Sequence, residues 1–408
     1  MRSPSWGSLY TLYLPAFVLA LGTGVATPAL PVFAKSFDIS FGTASLVIVL
    51  NLAGMALSSV PTGLLIDRVG RRKIVIAGPL LSAVSSVLTA TASSFPELLF
   101  WRFLNGWATG MWTMGRVTMI ADTGGAARGR QITTLFSYDN AGRLVGPAVG
   151  GLLAAMWDVR LPFYVHAALS LLAVIPSLRM TDTAPQRTQA EHEAEASAPA
   201  RSLLLTLLTF PIIMLFTTYF LTSLTRGALF GGSMNFYAVY AYDIDAAAVG
   251  LMAAAVSAVG IPVTIMAGHI MDRFGRKATI VPGFGLLGLS LLLMAGIAAL
   301  SLPFGIFVAA LIVVGLTQSL TGGSMQTLGS DVAPAHARGK FFGIWNTVGQ
   351  FGTFLSPAIF GLLTEHAGSP AAFAFLGVSS LGGAALVGFL VKETLQARPA
   401  VAKPVTHT

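Results

Sequence analysis

The sequence predicts an all-α membrane protein of twelve transmembrane helices, arranged as two six-helix pseudo-symmetric bundles. Three observations predict this fold class: an apolar composition, long apolar runs between short loops, and an internal repeat. Of the 408 residues, 54% are hydrophobic and only 10% are charged, a balance that soluble globular domains do not show. The apolar side chains are therefore expected to face lipid.

Long apolar runs follow one another along the whole chain. A helix that crosses a membrane needs roughly 20 predominantly apolar residues, and the runs are about this long. The twelve predicted spans cover approximately 9–33, 41–66, 74–94, 98–120, 132–156, 162–179, 207–240, 246–271, 278–300, 303–328, 341–363 and 371–391.

The position of the basic residues decides between a membrane protein and a nucleic-acid binder, because a formal charge of +8 fits either. If both termini are cytoplasmic, Lys35 and Arg160 are the only basic residues in outer loops, and most others lie in inner loops. This distribution follows the positive-inside rule. We therefore expect a monomeric, multi-pass protein of the inner (cytoplasmic) membrane, with both termini cytoplasmic, the first span retained, and no nucleic-acid partner.

Chemistry that needs a cofactor finds little support in the sequence. The chain contains no cysteine, which excludes disulfides and thiolate metal sites. The sequence carries no phosphate-binding loop, nucleotide fingerprint, metal-binding cluster or catalytic triad, and His166 and His269 stand isolated. We expect no enzymatic activity, no cofactor and no metal.

An internal repeat divides the spans into six and six. The segment G-L-L-I-D-R-V-G-R-R at 63–72 reappears as G-H-I-M-D-R-F-G-R-K at 268–277, each time between the second and third spans of its half. Duplicated halves are typical of secondary transporters, whose substrate site lies near the midplane where the halves meet. The predicted units are an N-terminal bundle at 1–180, a cytoplasmic linker at 181–201, a C-terminal bundle at 202–391 and a cytoplasmic tail at 392–408.

These segments resemble the major facilitator superfamily over essentially the whole chain. The repeated loop is similar to that family's G-x-x-x-D-R-x-G-R-[KR] motif. The patterns G-x-G-x-x-x-P-x-x-P at 22–31 and R-x-x-x-G at 102–106 resemble those of its twelve-span drug:proton antiporter branch. Two features depart from that branch: Leu311 stands where the repeat places a counterpart of Arg102, and K-E-T-L at 392–395 is similar to the ending of sugar porters.

The loop motif predicts a cytoplasmic gate. Its glycines allow tight turns, and its aspartates can pair with basic groups or helix ends, so that the pairs close the inner side and break when it opens. The resemblance adds Asp122 and Arg128 to this network, and the alternative is that the basic residues only anchor the topology. The predicted gate residues are Gly63, Asp67, Arg68, Gly70, Arg71, Asp122, Arg128, Asp272, Arg273, Gly275 and Arg276.

The fifth span carries a glycine pattern that is similar to the antiporter motif of the efflux branch. Small residues let helix backbones approach closely, and a proline bends the helix. We interpret these positions as packing residues without direct substrate contact. They are Gly142, Gly146, Pro147, Gly150 and Gly151.

Ionisable groups inside a membrane span are costly, so each one indicates function. Asp139 is the one carboxylate predicted to lie well inside a span, and Arg143 follows it by four residues, on the same helix face. We predict that Asp139 carries the coupling proton and pairs with Arg143; the alternative is a static ion pair. The resemblance adds Arg102 to the proton-coupling residues, whereas Arg116 is expected to anchor its helix or join the gate.

Arg226 lies near the middle of the overlong run 207–240, just before three glycines, which predicts an interrupted helix with a cation beside it. Deep amides in the second half complete the predicted substrate pathway, although each amide could instead only bond neighbouring helices. The predicted pathway residues are Arg143, Arg226, Asn235, Tyr237, Gln318, Asn346 and Gln350.

The sequence thus predicts a secondary active transporter that exports a small organic molecule, anionic or amphiphilic, in exchange for protons by alternating access. A proton-coupled importer of a sugar or carboxylate metabolite stays open. So does a membrane sensor or assembly component that kept the fold without transport.

Overall fold

The computed structural model describes residues 9–123, 128–179, 209–230, 232–333 and 338–391. The predicted linker 181–201 and tail 392–408 lie outside these ranges. Within them, every regular element is helical, and the helices fall into twelve successive stretches, as predicted.

The first half contains six helical stretches, preceded by a π-helical turn at Leu9–Tyr13. The stretches are α1 (Leu14–Ala26 and Ala29–Lys35), α2 (Phe41–Val69), α3 (Arg71–Thr91), α4 (Phe95–Thr123), α5 (Arg128–Met156) and α6 (Leu161–Ser177).

The second half repeats this arrangement. Its stretches are α7 (Phe210–Phe230 and Ser233–Tyr242), α8 (Ala246–Phe274), α9 (Lys277–Ala299), α10 (Phe304–Leu320 and Ser324–Val332), α11 (Arg338–Ala367) and α12 (Ser369–Leu390). Gly232 between the two pieces of α7 has φ 88°, and Gly323 in α10 has φ 72°. Glycine adopts this left-handed backbone without strain, and the break in α7 confirms the predicted interruption after Arg226.

The repeat is visible in the helix ends. The Ser40 hydroxyl caps α2 by accepting from the Thr43 N–H at 3.2 Å, and the Asp245 carboxylate caps α8 by accepting from the Ala248 N–H at 2.8 Å. Both helices end at a glycine with positive φ, Gly70 in the first half and Gly275 in the second. The same lengths and ends show that the two halves place their second helices alike.

In the described part of the chain, eight helices are long and apolar enough to cross a membrane by length and composition. The remaining stretches are α4, α5, α6 and α11. Helices α4 and α5 carry Arg102, Arg116, Asp139 and Arg143, and α6 is apolar but only 17 residues long. Charges inside the bundle, rather than a lack of helical length, lower the hydropathy of α4 and α5.

We call the face at which α1 begins and α12 ends the terminal face, and the opposite one the distal face. Across the two halves, α2 packs on α11 and α5 packs on α8. The side of α2 that faces α11 is buried near the distal face, where Ser45 is 2% and Val49 8% exposed, but Val60 on the same side is 73% exposed. The halves are therefore in contact at the distal face and apart at the terminal face.

Contacts between the halves concentrate at the distal end. The Lys35 ammonium of α1 donates to the Asp243 carboxylate after α7 at 2.6 Å, and the Ser40 hydroxyl donates to Glu365 of α11 at 3.0 Å. Lys35 holds the pKa of Asp243 below its ordinary value. These contacts close the distal face.

Candidate functional site

A cavity of about 300 Å³ lies in the second half, between α7, α10 and α11. Along α7 and α11 its walls lie roughly 12 to 24 Å from the helix starts at the terminal face, at about 1.5 Å per residue. This depth is near the middle of a hydrocarbon core about 30 Å thick. The lining residues are Tyr219, Ser223, Arg226, Gly323, Gln326, Asn346, Gly349, Gln350 and Thr353.

Helical spacing explains which side chains meet in the cavity. On α7, Tyr219, Ser223 and Arg226 follow one another at intervals of four and three residues, so they share one face. On α11, Asn346, Gln350 and Thr353 repeat that spacing. Two polar helix faces therefore oppose each other.

The walls of the cavity are held by close packing of α7 on α11. A Cβ atom at Gly227 would lie 2.4 Å from the Thr353 carbonyl oxygen, so only glycine fits. Below it, the Ser356 hydroxyl accepts from the Ala228 N–H at 2.8 Å and donates to the Leu224 carbonyl. These contacts fix the helix that carries Arg226.

Tyr219 is oriented from two sides. Its ring stacks on Trp345 with centroids 4.4 Å apart and planes 8° apart. Its hydroxyl accepts a hydrogen bond from the Gln326 amide at 3.0 Å. The phenol and the amide are thereby held at the cavity wall.

Arg226 carries the one charge among the described residues that line the cavity. Its guanidinium has five N–H donors and no acceptor, and the other polar lining groups are hydroxyls and amides. Such a surface can bind an anionic group beside groups that accept and donate hydrogen bonds.

Three predicted pathway residues, Arg226, Asn346 and Gln350, are brought together in this cavity. Asn235 and Gln318 do not line it. Tyr237 is a correction: it is 6% exposed in an aromatic core, with its ring 5.0 Å from that of Phe373, because the break at Gly232 turns the second piece of α7 into the core.

Sequence reasoning missed several members of the site. Tyr219 and Ser223 were not predicted, although they stand seven and three residues before Arg226, the spacing that marks one helix face. Thr353 likewise lies three residues after Gln350. Gln326 was not among the predicted pathway residues.

The first half holds an ion pair in its interior. The Arg116 guanidinium of α4 contacts both carboxylate oxygens of Asp139 on α5, at 3.2 and 3.3 Å. The Arg116 side chain is 3% exposed, that of Asp139 is 16% exposed, and the guanidinium lies 4.5 Å from the centroid of the Trp112 ring. Asp139 is thus held by a neighbouring helix.

The predicted pairing of Asp139 with Arg143 is therefore corrected. Asp139 forms its ion pair with Arg116, while the side chain of Arg143 is exposed. Arg116 is buried, and a buried cation needs a carboxylate more than an exposed one does. The spacing of Asp139 and Arg143 along α5 could not reveal that Arg116 is the partner of Asp139, because Arg116 lies on a different helix, α4.

A buried polar network connects four helices of the first half. The His166 ring of α6 contacts the Ser86 hydroxyl at 3.0 Å and the Ser82 hydroxyl at 3.5 Å. The Asn105 amide of α4 donates to Ser85 at 3.2 Å and to Ser86 at 3.5 Å, and its carbonyl oxygen accepts from Arg102 at 3.4 Å. Arg102 is thereby connected to His166, which is 2% exposed.

This network was not predicted, since His166 was interpreted as isolated. Its serines occupy ordinary positions of an apolar helix, and their common direction depends on the rotation of α3 against α4 and α6. Asn51 of α2 completes the network by donating to the Arg102 carbonyl at 3.0 Å.

Comparison with known proteins identifies the family. The sequence profile described as Major Facilitator Superfamily matches residues 12–243 and 215–406. The chain belongs to this superfamily. Its members are transporters rather than enzymes, in accordance with the prediction.

Individual relatives agree with this assignment. An uncharacterized MFS-type transporter of Methanocaldococcus jannaschii is 23% identical over 384 residues, which are 92% of this chain and 95% of the relative. The quinolone resistance protein NorA of Staphylococcus aureus is 29% identical over 171 residues, 42% of this chain and 44% of NorA. The crystal structure of a D-xylose-proton symporter superposes with a TM-score of 0.77 at 18% identity, over 95% of this chain and 98% of that one.

The glycine motif of this superfamily member packs α5 on α1. A Cβ atom at Gly146 would lie 2.6 Å from the Cα of Gly24, and one at Gly150 would lie 1.8 Å from the Val25 carbonyl oxygen. Gly142 approaches the Phe17 carbonyl in the same way. The geometry supports the packing role proposed for these residues.

The last glycine of the motif faces the other half. A Cβ atom at Gly151 would lie 2.4 Å from the Ala246 carbonyl oxygen, and one at Gly250 of α8 would lie 2.3 Å from the Pro147 carbonyl oxygen. The backbones of α5 and α8 thus touch between the halves. We propose that this contact helps to close the distal face.

The loop motif is described in part. The Arg276 guanidinium donates to the Asp331 carboxylate at 2.9 Å and to the Met271 carbonyl at 3.2 Å, which ties the junction of α8 and α9 to the end of α10 within the second half. The gate stays a proposal, since this described pair does not join the two halves.

The other predicted gate residues take several positions. Arg71 is 7% exposed, whereas Arg68 and Arg273 are exposed. Gly63 packs near Met114, and a Cβ atom there would lie 3.3 Å from the Met114 terminal methyl group, a tight contact. Four of the predicted gate residues have side chains outside the described part of the structure: Asp67, Asp122, Arg128 and Asp272.

Proposed function

We propose that this secondary transporter exports a small organic anion from the cytoplasm in exchange for protons. One observation carries the proposal: a carboxylate with a buried arginine partner lies inside one half, and a cavity with a single cation lies inside the other. A proton and a substrate anion therefore have separate sites in one molecule.

The cycle begins with the halves apart at the terminal face. We take this face as cytoplasmic, because the basic loop residues concentrate there under the positive-inside rule. A substrate anion enters between the halves and binds to Arg226. The distal contacts, Lys35 with Asp243 and Ser40 with Glu365, then have to break before the opposite face can open.

Asp139 supplies the coupling step. Protonation of Asp139 removes the countercharge of Arg116, and an unpaired charge inside the protein is strongly unfavourable. Conformations in which Arg116 finds water or another acceptor then gain in population. Arg143 is exposed and acts electrostatically on Arg116, so we assign it to the path between proton and substrate, with Arg102 as a further coupling residue.

Export is supported by the α5 glycine motif, by the partial similarity to NorA, and by the resemblance to the antiporter branch. The polar cavity wall favours one alternative, a proton-coupled importer of a sugar or carboxylate metabolite. A sensor or assembly component without transport is less well supported, because it has no need of a polar cavity or of Asp139.

Purified protein in vesicles with an imposed pH gradient tests the proposal. A pH-sensitive dye inside the vesicles would report proton movement as organic anions, neutral sugars and lipophilic cations are added in turn. We expect anion-dependent proton movement that Asp139→Asn abolishes, while counterflow of labelled anion in the absence of a gradient persists. Unchanged proton movement in Asp139→Asn, or none with any anion, contradicts the proposal. The sign of movement in oriented vesicles distinguishes export from import.

A further inference from the structure

The neutral groups of the second-half cavity carry more information about its ligand than Arg226 alone. Beside this one cation stand three amides and three hydroxyl groups. The amides belong to Gln326, Asn346 and Gln350, and the hydroxyls to Tyr219, Ser223 and Thr353. A ligand that fills the cavity has to replace water at most of these groups.

Part of this surface is already engaged within the protein. Gln326 donates to Tyr219, and the Thr353 hydroxyl donates to the Gly349 carbonyl at 2.9 Å. For Asn346 and Gln350, by contrast, no side-chain hydrogen bond to another described residue is found, and both side chains are exposed. Each amide therefore presents a carbonyl acceptor and an NH₂ donor to the cavity.

These two amides stand one helical turn apart, about 5.4 Å along α11. A hydroxyl group both donates and accepts, so it can satisfy either part of an amide. An apolar ligand that covers these amides would leave their donors and acceptors without partners, which weakens its binding. The wall of α11 thus favours hydroxyl groups and disfavours apolar ligands.

The opposite wall selects charge. Arg226 lies on α7, seven residues after Tyr219, and no carboxylate occurs among the described lining residues. A guanidinium binds a carboxylate through two parallel N–H···O bonds. One carboxylate in the ligand therefore matches the one cation in the wall.

The size of the cavity limits the ligand. A volume of about 300 Å³ is at the lower end of the range for cavities that hold small molecules. A single short carbon chain or ring with polar substituents can therefore contact both walls at once.

We propose that the ligand of this cavity is a small polyhydroxylated monocarboxylate of the sugar-acid type. Its carboxylate binds Arg226 on α7, and its hydroxyl groups bind the amides of Asn346 and Gln350 on α11. The proposal deepens the proposed function, and rests on it for the assumption that this cavity holds the transported molecule.

Binding to the purified full chain in detergent tests the ligand class without any gradient. Four probes separate charge from hydroxylation: D-gluconate has both, D-glucose lacks the charge, hexanoate lacks the hydroxyl groups, and tetraphenylphosphonium is a lipophilic cation. Isothermal titration at neutral pH is expected to show gluconate at least tenfold tighter than each of the other three. Failure of gluconate to bind, or equal binding of hexanoate, overturns the proposal.

Variants locate the binding in this cavity. We expect Arg226→Gln to weaken gluconate at least tenfold, and Asn346→Leu or Gln350→Leu to weaken gluconate without weakening hexanoate. Thr347→Leu is the matched control, since Thr347 is the neighbour of Asn346 on α11 but does not line the cavity, and its gluconate affinity is expected to stay within twofold of the parent. Equal losses in Thr347→Leu and Asn346→Leu would show a general effect on folding and remove the assignment to α11.

The two proposals fail in different ways. Proton movement with hexanoate that exceeds the passive movement in protein-free vesicles, together with none with gluconate, would keep an anion:proton transporter and overturn the sugar-acid class. Gluconate binding in detergent without any proton movement in vesicles would keep the ligand class and overturn proton coupling.

Discussion

The two halves of the molecule share a backbone plan but differ in their interiors. In the second half, the buried apolar side chains form one continuous cluster that surrounds Phe284, Phe307 and Phe373. In the first half the described apolar side chains form several smaller clusters, and the same half also holds the Arg116–Asp139 pair and the His166 network. The difference shows that duplication conserves helix ends and crossings, while the interior of each half is free to take a separate chemical task.

The same contrast holds where α5 and α11, the equivalent helices, pack on their neighbours. In the first half, Gly146 touches Gly24 backbone to backbone. In the second half, Ser356 stands at the equivalent position and bonds α7 through its hydroxyl. One contact depends on the absence of a side chain, and the other on its presence.

The largest effect is expected at the buried ion pair. Asp139→Asn leaves Arg116 without its countercharge, and breaking such a pair by removing one partner costs about 3–5 kcal/mol. Proton-driven transport should be lost. Thermal unfolding and vesicle transport measure the two effects, and the double variant Arg116→Gln with Asp139→Asn should recover stability but not proton coupling. A double variant that couples protons normally would remove Asp139 from the mechanism.

A somewhat smaller effect is expected from exchanging the helix contacts of the two halves. Gly146→Ser places a Cβ atom against the backbone of Gly24, and overpacking of this kind costs about 1–3 kcal/mol. Ser356→Ala removes hydrogen bonds that contribute about 1 kcal/mol. The unfolding temperature should therefore fall further in Gly146→Ser, and Gly285→Ala, where an added Cβ meets no atom within 4 Å, serves as control. A larger fall of the unfolding temperature in Ser356→Ala than in Gly146→Ser would show that α1 and α5 can move apart without loss of stability.

The polar networks allow a finer comparison. His166→Leu leaves the Ser82 and Ser86 hydroxyls buried without the imidazole, at about 1–3 kcal/mol for an unsatisfied group. In the second half, Ser290 contacts Thr317 at 3.2 Å, between α9 and α10. Ser290→Ala removes this contact and the hydrogen bond from the same hydroxyl to the Leu287 carbonyl within α9. Unfolding midpoints should fall more for His166→Leu, and His166→Gln should restore part of the loss. Equal midpoints for His166→Leu and Ser290→Ala would mean that the first-half network adds nothing to stability.

The smallest effect is expected at the distal face. Asp243→Asn removes the charge that Lys35 contacts, so the distal face should open more often. The chain has no cysteine, which allows single reporters: Ser45→Cys, at a position 2% exposed, and Val60→Cys, at a position 73% exposed. Maleimide labelling of Ser45→Cys should rise in the Asp243→Asn background while that of Val60→Cys falls. Labelling that stays constant at both positions would exclude a gating role for this ion pair.

The pH dependence of the Lys35–Asp243 ion pair follows from the direction in which the pKa of Asp243 is shifted. Lys35 lowers the pKa of Asp243, so the contact is fully present above the ordinary pKa of an aspartate and is lost as pH falls through the lowered value. Near neutral pH the Lys35–Asp243 ion pair should be insensitive to pH, and labelling of Ser45→Cys should rise only under strongly acidic conditions.

Much of the fold was predictable because its signals are local. Hydropathy fixes where helices run, and the glycines at 70 and 275 fix where the second helices of both halves end. Arg226, Asn346 and Gln350 could be predicted as interior polar groups because such groups are rare, and the structure places all three in one cavity. Tyr237 could not be placed, since an aromatic residue after a helix break suits a core and a cavity equally well.

The sequence by itself determined the number of helices, the repeat and the kinds of polar group in the membrane interior. Only the tertiary structure decided which of these groups meet. Asp139 pairs with Arg116 instead of Arg143, and His166 joins Arg102 through Ser86 and Asn105. The physical reason is that periodicity along one helix defines its faces, whereas partners on different helices depend on how those helices are rotated and shifted against one another.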